Sequence, residues 1–498
     1  MSPSQAILLA ILVPLAAAAL IALCGRRANL REAVTLASAG LLFLSVASLV
    51  PEVAAGGRPE ATLIEMLPGL PLRFVVEPLG MLFGLVASGL WIVTSAYSIG
   101  YMRGNEEGHQ TRYYACFALA LASTMGVAFA GNMMTLFVFY EALTLTTYPL
   151  VTHKGTEEAM RAGRTYLGLL LSTSIGLQLL AILWTWQAAG TLDFTPGGIL
   201  AGKVSEPVVG VLLLLYMYGI GKTALMPFHR WLPAAMVAPT PVSALLHAVA
   251  VVKAGVFTAM KVVIYIFGLD LLRTTGHGEW LGYVAAATML LASLVALTKD
   301  NLKARLAYST VSQLAYVVLG AALANGWSVI GGSMHIAMHA MGKITLFFCA
   351  GAIYTATHKT EISEMAGLGR TMPFTFGAFL IGALSVIGLP PLGGSWSKWY
   401  LMLGAAEADQ LVMIVVLMIS SLLNVAYLMP IVARGFFLPG PAGGPRPASV
   451  GAAAAEATGI REAPLFCVVP LCLTAAGCLA LFFFADPLYR LLEPIAMP

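Results

Sequence analysis

One acid and a small set of lysines and histidines stand inside stretches that are otherwise apolar, and there chemistry enters this sequence. Glu141 follows Leu136–Phe137–Val138–Phe139–Tyr140, and Lys222 follows Tyr218–Gly219–Ile220–Gly221. His247 and Lys253 share one apolar stretch, and at 100° per residue a six-residue spacing sends them to different helix faces. His335, His339 and Lys343 recur at i, i+4 and i+8 and therefore line one stripe. Lys398 comes just after Pro390–Pro391 and Gly393–Gly394. Removing a lysine from water favours its neutral amine, and a nearby carboxylate favours the ammonium. A sealed lysine whose acid approaches and retreats can therefore take up and give up a proton. Histidines between lysines titrate near neutrality and relay. A lateral proton wire accounts for this set more economically than separate structural exceptions.

Simpler roles compete. A buried glutamate is often only a hydrogen-bonding group, and a lone lysine near a helix end usually snorkels to the interface; Lys261 is read that way. His335 and His339 have a spacing that suits zinc. No third ligand is local, however, and Lys343 on the same stripe repels a cation, so no metal is expected. The six cysteines form no C-x-x-C pair, and no G-x-G-x-x-G after a strand or G-x-x-x-x-G-K-[ST] motif is present. No cofactor or redox centre is expected in this chain.

The elements that hold these residues follow from composition. Of 498 residues 59% are hydrophobic and 10% charged, and the mean hydropathy is +0.86. Soluble domains carry about 25% charged residues, so lipid must be the solvent. Nucleic-acid binding and a secreted disulfide scaffold are excluded. A span needs about 20 mostly apolar residues. That rule gives spans near 5–24, 33–51, 78–99, 113–130, 132–151, 164–187, 208–226, 241–267, 280–298, 301–322, 330–354, 374–405, 411–433 and 464–484. The expectation is an all-α integral membrane protein of about fourteen transmembrane helices, since lipid-exposed backbone must pair within its own segment. Placing the 26–31 loop inside puts seventeen of the 27 Lys and Arg residues, Arg446 among them, on the cytoplasmic side and five outside. This bias sets the orientation, with both termini on the non-cytoplasmic side of a bacterial-type inner membrane.

An internal repeat is visible. Tyr140 and Tyr148 recur as Tyr308 and Tyr316, and Arg230–Trp231 as Lys398–Trp399, at one offset of 168 residues. Five spans separate the copies, so the second unit is inverted, an arrangement typical of transporters with interrupted helices near the midplane. Prolines 227, 233, 239 and 241 mark the first interruption and Pro390–Pro391 the second. The organisation expected is an N-terminal part over 1–112, five-helix repeats over 113–267 and 280–433 with helices 7 and 12 broken, and a loop and last helix over 434–498.

The stretches FYEALTLTTY (139–148), GKTALMPFHRWLPAAMVAPTPVSALLHAVAVVKAGVF (221–257), KARLAYSTVSQLAYV (303–317), HIAMHAMGKITLFFCAG (335–351) and GLPPLGGSWSK (388–398) resemble a known family. It is that of the antiporter-like subunits of respiratory complex I, Mrp-type sodium/proton antiporters and energy-converting membrane-bound hydrogenases. The resemblance implies that Glu141 modulates Lys222 and that His247 and Lys253 lie on a central axis. It also implies that Lys303 is the cationic position of helix 10, that His335, His339 and Lys343 form a relay, and that Lys398 is its terminal lysine. It implies proton transport, with exit outward from Lys398, and membrane subunits of a complex I-like or Mrp-like assembly as partners. A sodium path and a quinone-binding subunit of an NADH:quinone oxidoreductase are the alternatives. Helix 6 departs from the pattern, since Ser172, Thr173, Ser174 and Gln178 stand there without a carboxylate.

Overall fold

The computed structural model describes residues 2–439 and 459–496; Arg446, counted above among the inner cations, lies outside the described residues. The spans, numbered 1 to 14 in chain order, begin with Pro3–Leu23, Ala28–Ala54, Pro78–Gly104, Gln110–Ala128, Met133–Val151 and Glu157–Ala189. Span 7 is Glu206–Gly219 with its irregular continuation, and span 8 is Thr240–Phe267. Gly278–Thr298, Leu302–Ala322, Gly326–Thr357, Pro373–Ile387 continued by Gly394–Glu407, Leu411–Phe437 and Leu465–Phe483 complete the set. Ten of these helices are long and apolar enough to cross a membrane. Spans 7 and 12 are divided, and spans 4 and 10 are richer in polar residues.

Two features stand outside the expected fourteen spans. Strands β1 (Glu60–Leu67) and β2 (Leu70–Val75) form an antiparallel hairpin between spans 2 and 3, turning at Gly69 with a φ of +78° that glycine tolerates. A short helix, Ala485–Ala496, follows span 14 and packs against spans 3 and 11.

Spans 8 and 11 form the centre. Span 8 is buried along its whole apolar length and span 11 along 94% of it, whereas spans 2, 6, 13 and 14 are buried along less than half. The outer helices expose Leu41, Leu44, Leu180, Leu422 and Leu473. The side chains of span 8 and the stripe of span 11 are therefore shielded from both lipid and water, which a lone amphipathic surface helix does not achieve.

Spans 7 and 12 break for the same local reason. Span 7 ends at Gly219; Gly221–Thr223 makes one tight turn, Ala224 takes a φ of +54°, and Pro227 supplies no N–H. The released backbone finds other partners: the Trp231 indole N–H donates to Gly221 O at 3.0 Å and the Met226 N–H to Thr288 Oγ1 at 3.3 Å. Span 12 stops at Ile387, turns at Gly388 with a φ of +91°, and resumes at Gly394. The residues ending the two first halves, Ile220 and Gly388, are 168 apart, and the N-capping Asn132 and Asn301 are 169 apart. The helical elements thus keep the register read from the tyrosines.

Candidate functional site

Lys222 sits in the tight turn where span 7 breaks, not in a helix, and is fully buried. The break frees its surroundings to be built by span 5. Its ammonium donates to the Tyr140 carbonyl at 2.8 Å and to Thr144 Oγ1 at 2.6 Å, and lies 3.2 Å from the centroid of the Tyr140 ring. Its backbone N–H donates to the Tyr140 hydroxyl at 3.1 Å. Gly255 of span 8 makes the crossing possible, because a Cβ there would overlap the Lys222 carbonyl. Among the described residues no carboxylate lies within 4.0 Å of the Lys222 amine. Glu141 is nonetheless its charged neighbour. Both Glu141 carboxylate oxygens are buried without a hydrogen-bond partner, on a helix face that runs between the exposed Val138 and Leu145. The acid and the lysine are thus adjacent but disengaged.

The centre of the molecule carries an unbroken run. Lys253 Nζ meets His339 Nδ1 at 2.5 Å. The His339 and His335 rings are stacked with centroids 5.7 Å apart, as the i, i+4 spacing on span 11 requires. His335 stacks on Tyr316 at 5.3 Å and its Nδ1 is 2.9 Å from Ser397 Oγ. The Lys398 ammonium stands 4.7 Å from the Tyr316 ring and donates to Ile387 O at 2.8 Å and Ser421 Oγ at 3.0 Å. Five side chains from spans 8, 10, 11 and 12 are therefore in succession. The other nitrogens of His335 and His339 have no partner, which leaves them free to exchange protons.

The remaining expected residues surround this run. His247 is buried against Phe347 with centroids 4.6 Å apart, and Lys343, Lys303 and Lys253 are its charged neighbours. Lys343 donates to Ser309 Oγ at 2.6 Å and belongs to a side cluster in which Ser309 meets Tyr427 Oη at 2.8 Å and Tyr427 donates to Asn424. Lys303, in the first turn of span 10, donates to Ala238 O at 2.6 Å. A cavity of about 570 Å³ flanks Lys398, lined by Leu389, Trp396, Trp399, Met418 and Leu422 among others. Trp399, Met418 and Leu422 are more than half exposed, so this cavity opens sideways through the apolar flank of the molecule.

One reading is corrected. Lys261 does not snorkel. It is fully buried, its amine 3.1 Å from Glu77, donating to Ala130 O at 2.7 Å and facing the Phe194 ring at 4.1 Å. The acid stands 184 positions away, so no local pattern announced it. The 168 offset, in turn, matches helices but not the lysine sites. Tyr140 underlies Lys222 and Tyr316 underlies Lys398, and both pairs are related by 176 residues. Within a conserved helical frame, the lysine and its aromatic partner have moved together by eight residues, about 12 Å of helix.

Sequence reasoning missed Thr144, Ser309, Ser397, Ser421, Asn424 and Tyr427, each a partner of a lysine or histidine or one step removed. A signal existed for span 13: Ser420, Asn424 and Tyr427 recur at helical spacing in an otherwise apolar stretch and are buried.

Known proteins resemble this chain in sequence and in fold. The family described as NADH:quinone oxidoreductase/Mrp antiporter, TM, matches residues 130–424. The chain is 32% identical to NADH-quinone oxidoreductase subunit N of Desulforudis audaxviator (strain MP104C), over 93% of this chain and 92% of that one. It is 32% identical to hydrogenase-4 component B of Escherichia coli (strain K12), over 66% of this chain and 50% of that one. In fold it is similar to a chain in the structure of the Mrp complex from Dietzia sp. DQ12-45-1b, with a TM-score of 0.87, 23% identity, and coverage of 100% and 97%.

Proposed function

The chain belongs to the NADH:quinone oxidoreductase/Mrp antiporter membrane family, and on that premise we propose that it carries protons through its buried side chains as one subunit of a larger membrane complex. It is a multi-pass, antiporter-like membrane subunit. The observation that carries the proton reading is the contact run Lys253–His339–His335–Tyr316–Lys398. A run of neutralisable bases with free ring nitrogens conducts protons. It offers no cage of oxygens of the kind a hard cation requires.

Lys222 is the loading site. Its ammonium rests on a carbonyl, a hydroxyl and an aromatic face, with Glu141 close enough to act on it and not bound to it. A shift of Glu141 toward Lys222 stabilises the charged lysine; retreat favours release. Glu141 lies on an outward helix face between exposed apolar residues, so a neighbouring subunit can set that distance. Protons loaded from the cytoplasmic side, with Lys303 and His247 at that end, then reach Lys253 and the histidines, and Lys398 receives them. The coupled groups titrate as one system. Both termini face the non-cytoplasmic side of a bacterial-type inner membrane, as the distribution of Lys and Arg indicates.

Lys253→Met tests the run. In the complex reconstituted into proteoliposomes, its driving reaction should continue while the pH gradient it builds falls by about tenfold or more, the scale of a lost proton-transfer group. An undiminished gradient overturns the proposal. Replacing sodium by choline leaves the wild-type gradient intact under the proton reading and abolishes it if sodium is the transported ion.

A further inference from the structure

The proton route above ends at Lys398, whose cavity opens onto an apolar flank and not onto water. A second buried lysine–acid couple plays no part in that route. Lys253, Phe257, Lys261 and Tyr265 recur every four residues along span 8 and lie on one stripe, each step about 6 Å. Lys253 touches the central histidine. Phe257 lies between the two lysines in sequence and packs against Phe83 of span 3, the rings tilted with centroids 5.0 Å apart. Lys261 is held by Glu77, which caps the start of span 3, and by the Ala130 carbonyl. Glu77 is 4% exposed and pairs with Lys261 through Oε1 at 3.1 Å, whereas its Oε2 has no hydrogen-bond partner, nor has the Tyr265 hydroxyl that faces the same acid.

Beyond Tyr265 lies a polar cavity of about 230 Å³, lined by Arg58, Tyr265, Asp270, Asn325 and Glu407 among others. These residues come from the hairpin segment, the 268–277 turn and the ends of spans 11 and 12, all on the side that the charge distribution places outside. The stripe thus runs from Lys253, the first member of the contact run, to an outer polar chamber, interrupted by an aromatic pair.

Resting on the proton reading, we infer that the Lys261–Glu77 couple is the outward proton outlet of this chain, with Phe257 and Phe83 as its plug, while Lys398 serves exchange across the flank. When the plug parts and water bridges the gap, Lys253 gives a proton to the Lys261 amine. An N–H bond of Lys261 then breaks as an O–H bond forms on Glu77, turning ammonium and carboxylate into amine and acid. The acid gives its proton, past the Tyr265 hydroxyl, to water in the chamber, and the restored carboxylate again favours a charged Lys261. The couple differs from Glu141–Lys222 in being closed at rest, as a gate against backflow requires.

The test is passive proton flow in proteoliposomes containing the complex, with a potassium diffusion potential and no driving reaction. Phe257→Ala should raise the leak by about tenfold. Adding Glu77→Gln or Lys261→Met should return it to the wild-type level, and adding Lys398→Met should not. No leak in Phe257→Ala, a leak indifferent to Glu77 and Lys261, or one that vanishes with Lys398→Met overturns the outlet. If Phe257→Ala does not assemble, Glu77→Gln alone decides: driven pumping must fall with the driving reaction intact, and unchanged pumping is the overturning result. The leak assay does not use Lys222. A normal gradient in Lys222→Ala therefore counts against the proton reading, and a failed leak test beside a Lys222-dependent gradient counts against the outlet alone.

Discussion

Lys222 and Lys398 sit at corresponding breaks in two inverted copies of one five-helix unit, and they are solved differently. Lys222 is wrapped by span 5: carbonyl, hydroxyl and ring all come from the turn Tyr140–Thr144, and Glu141 stands beside it. Lys398 draws its three contacts from three places, the end of its own first half-helix, span 13 and the Tyr316 ring. Among the described residues no carboxylate lies within 4.0 Å of it, and a cavity opens beside it. The copies share helix ends to within a residue, yet the lysine and its tyrosine have moved by eight. A repeat conserves what packing needs, the helix lengths and breaks, and leaves the charged group free to move to the depth its task requires. Under the proposed proton reading, the first site, with its acid, is the one that can be switched, and the second, without one, passes on what it receives.

The largest break in that contrast comes from removing the lysines. Lys222→Ala should reduce the pH gradient made by the reconstituted complex by about a hundredfold, and Lys222→Arg should not restore it, because guanidinium stays charged and cannot release a proton. Lys398→Ala should lower net pumping less than Lys222→Ala does, because the outlet at Lys261 and Glu77 remains, and should leave proton uptake at Lys222 intact, visible as a single-turnover uptake signal. Equal loss of uptake in both variants would erase the division of labour between the copies.

The acid gives the next effect. Glu141→Gln keeps the size and removes the charge that favours a protonated Lys222. Pumping should fall by about tenfold with the driving reaction preserved, and Glu141→Asp should recover part of it. A carboxylate introduced beside Lys398 by Ser421→Asp should slow release there, since it would hold the ammonium charged. If Ser421→Asp pumps as well as wild type, the absence of an acid at the second site has no functional meaning.

Much of this was legible before any fold was drawn. The breaks announce themselves because clustered prolines remove N–H donors and neighbouring glycines weaken the helix, and the lysines and histidines because charges in lipid are costly. The stripe His335–His339–Lys343 needed only the helical period. What stayed hidden was set by contacts between distant helices. Tyr140 and Tyr316 were noticed as repeat markers, but their spacing paired them with Tyr308 and Tyr148, and only packing shows which tyrosine lies under which lysine. Lys261 was misread because a lysine near a helix end has an easy local explanation; Glu77, brought in by the hairpin and the start of span 3, removes it. Serines and threonines were invisible in another way, since in a membrane helix most of them bond back to the preceding turn, as Thr124 and Thr258 do. Thr144, Ser309, Ser397 and Ser421 are among those that reach across instead, each to a lysine or histidine.

The smallest predicted effect separates the two tyrosines. Both present a ring to a lysine, a contact worth about 2 kcal/mol when desolvated, but the hydroxyls differ. That of Tyr140 accepts the Lys222 backbone N–H at 3.1 Å and helps to hold the turn, whereas that of Tyr316 has no partner. Phenylalanine keeps the ring and deletes only the hydroxyl. Tyr140→Phe should leave a buried N–H unsatisfied, at about 1–3 kcal/mol, and lower both thermal stability and pumping. Tyr316→Phe should leave stability unchanged and pumping within about twofold, because the ring is retained. Tyr316→Leu, which removes the ring as well, should slow pumping further without unfolding the protein. If Tyr316→Phe proves as damaging as Tyr140→Phe, the hydroxyl of Tyr316 carries protons itself, and the step from His335 to Lys398 passes through it rather than across the ring face.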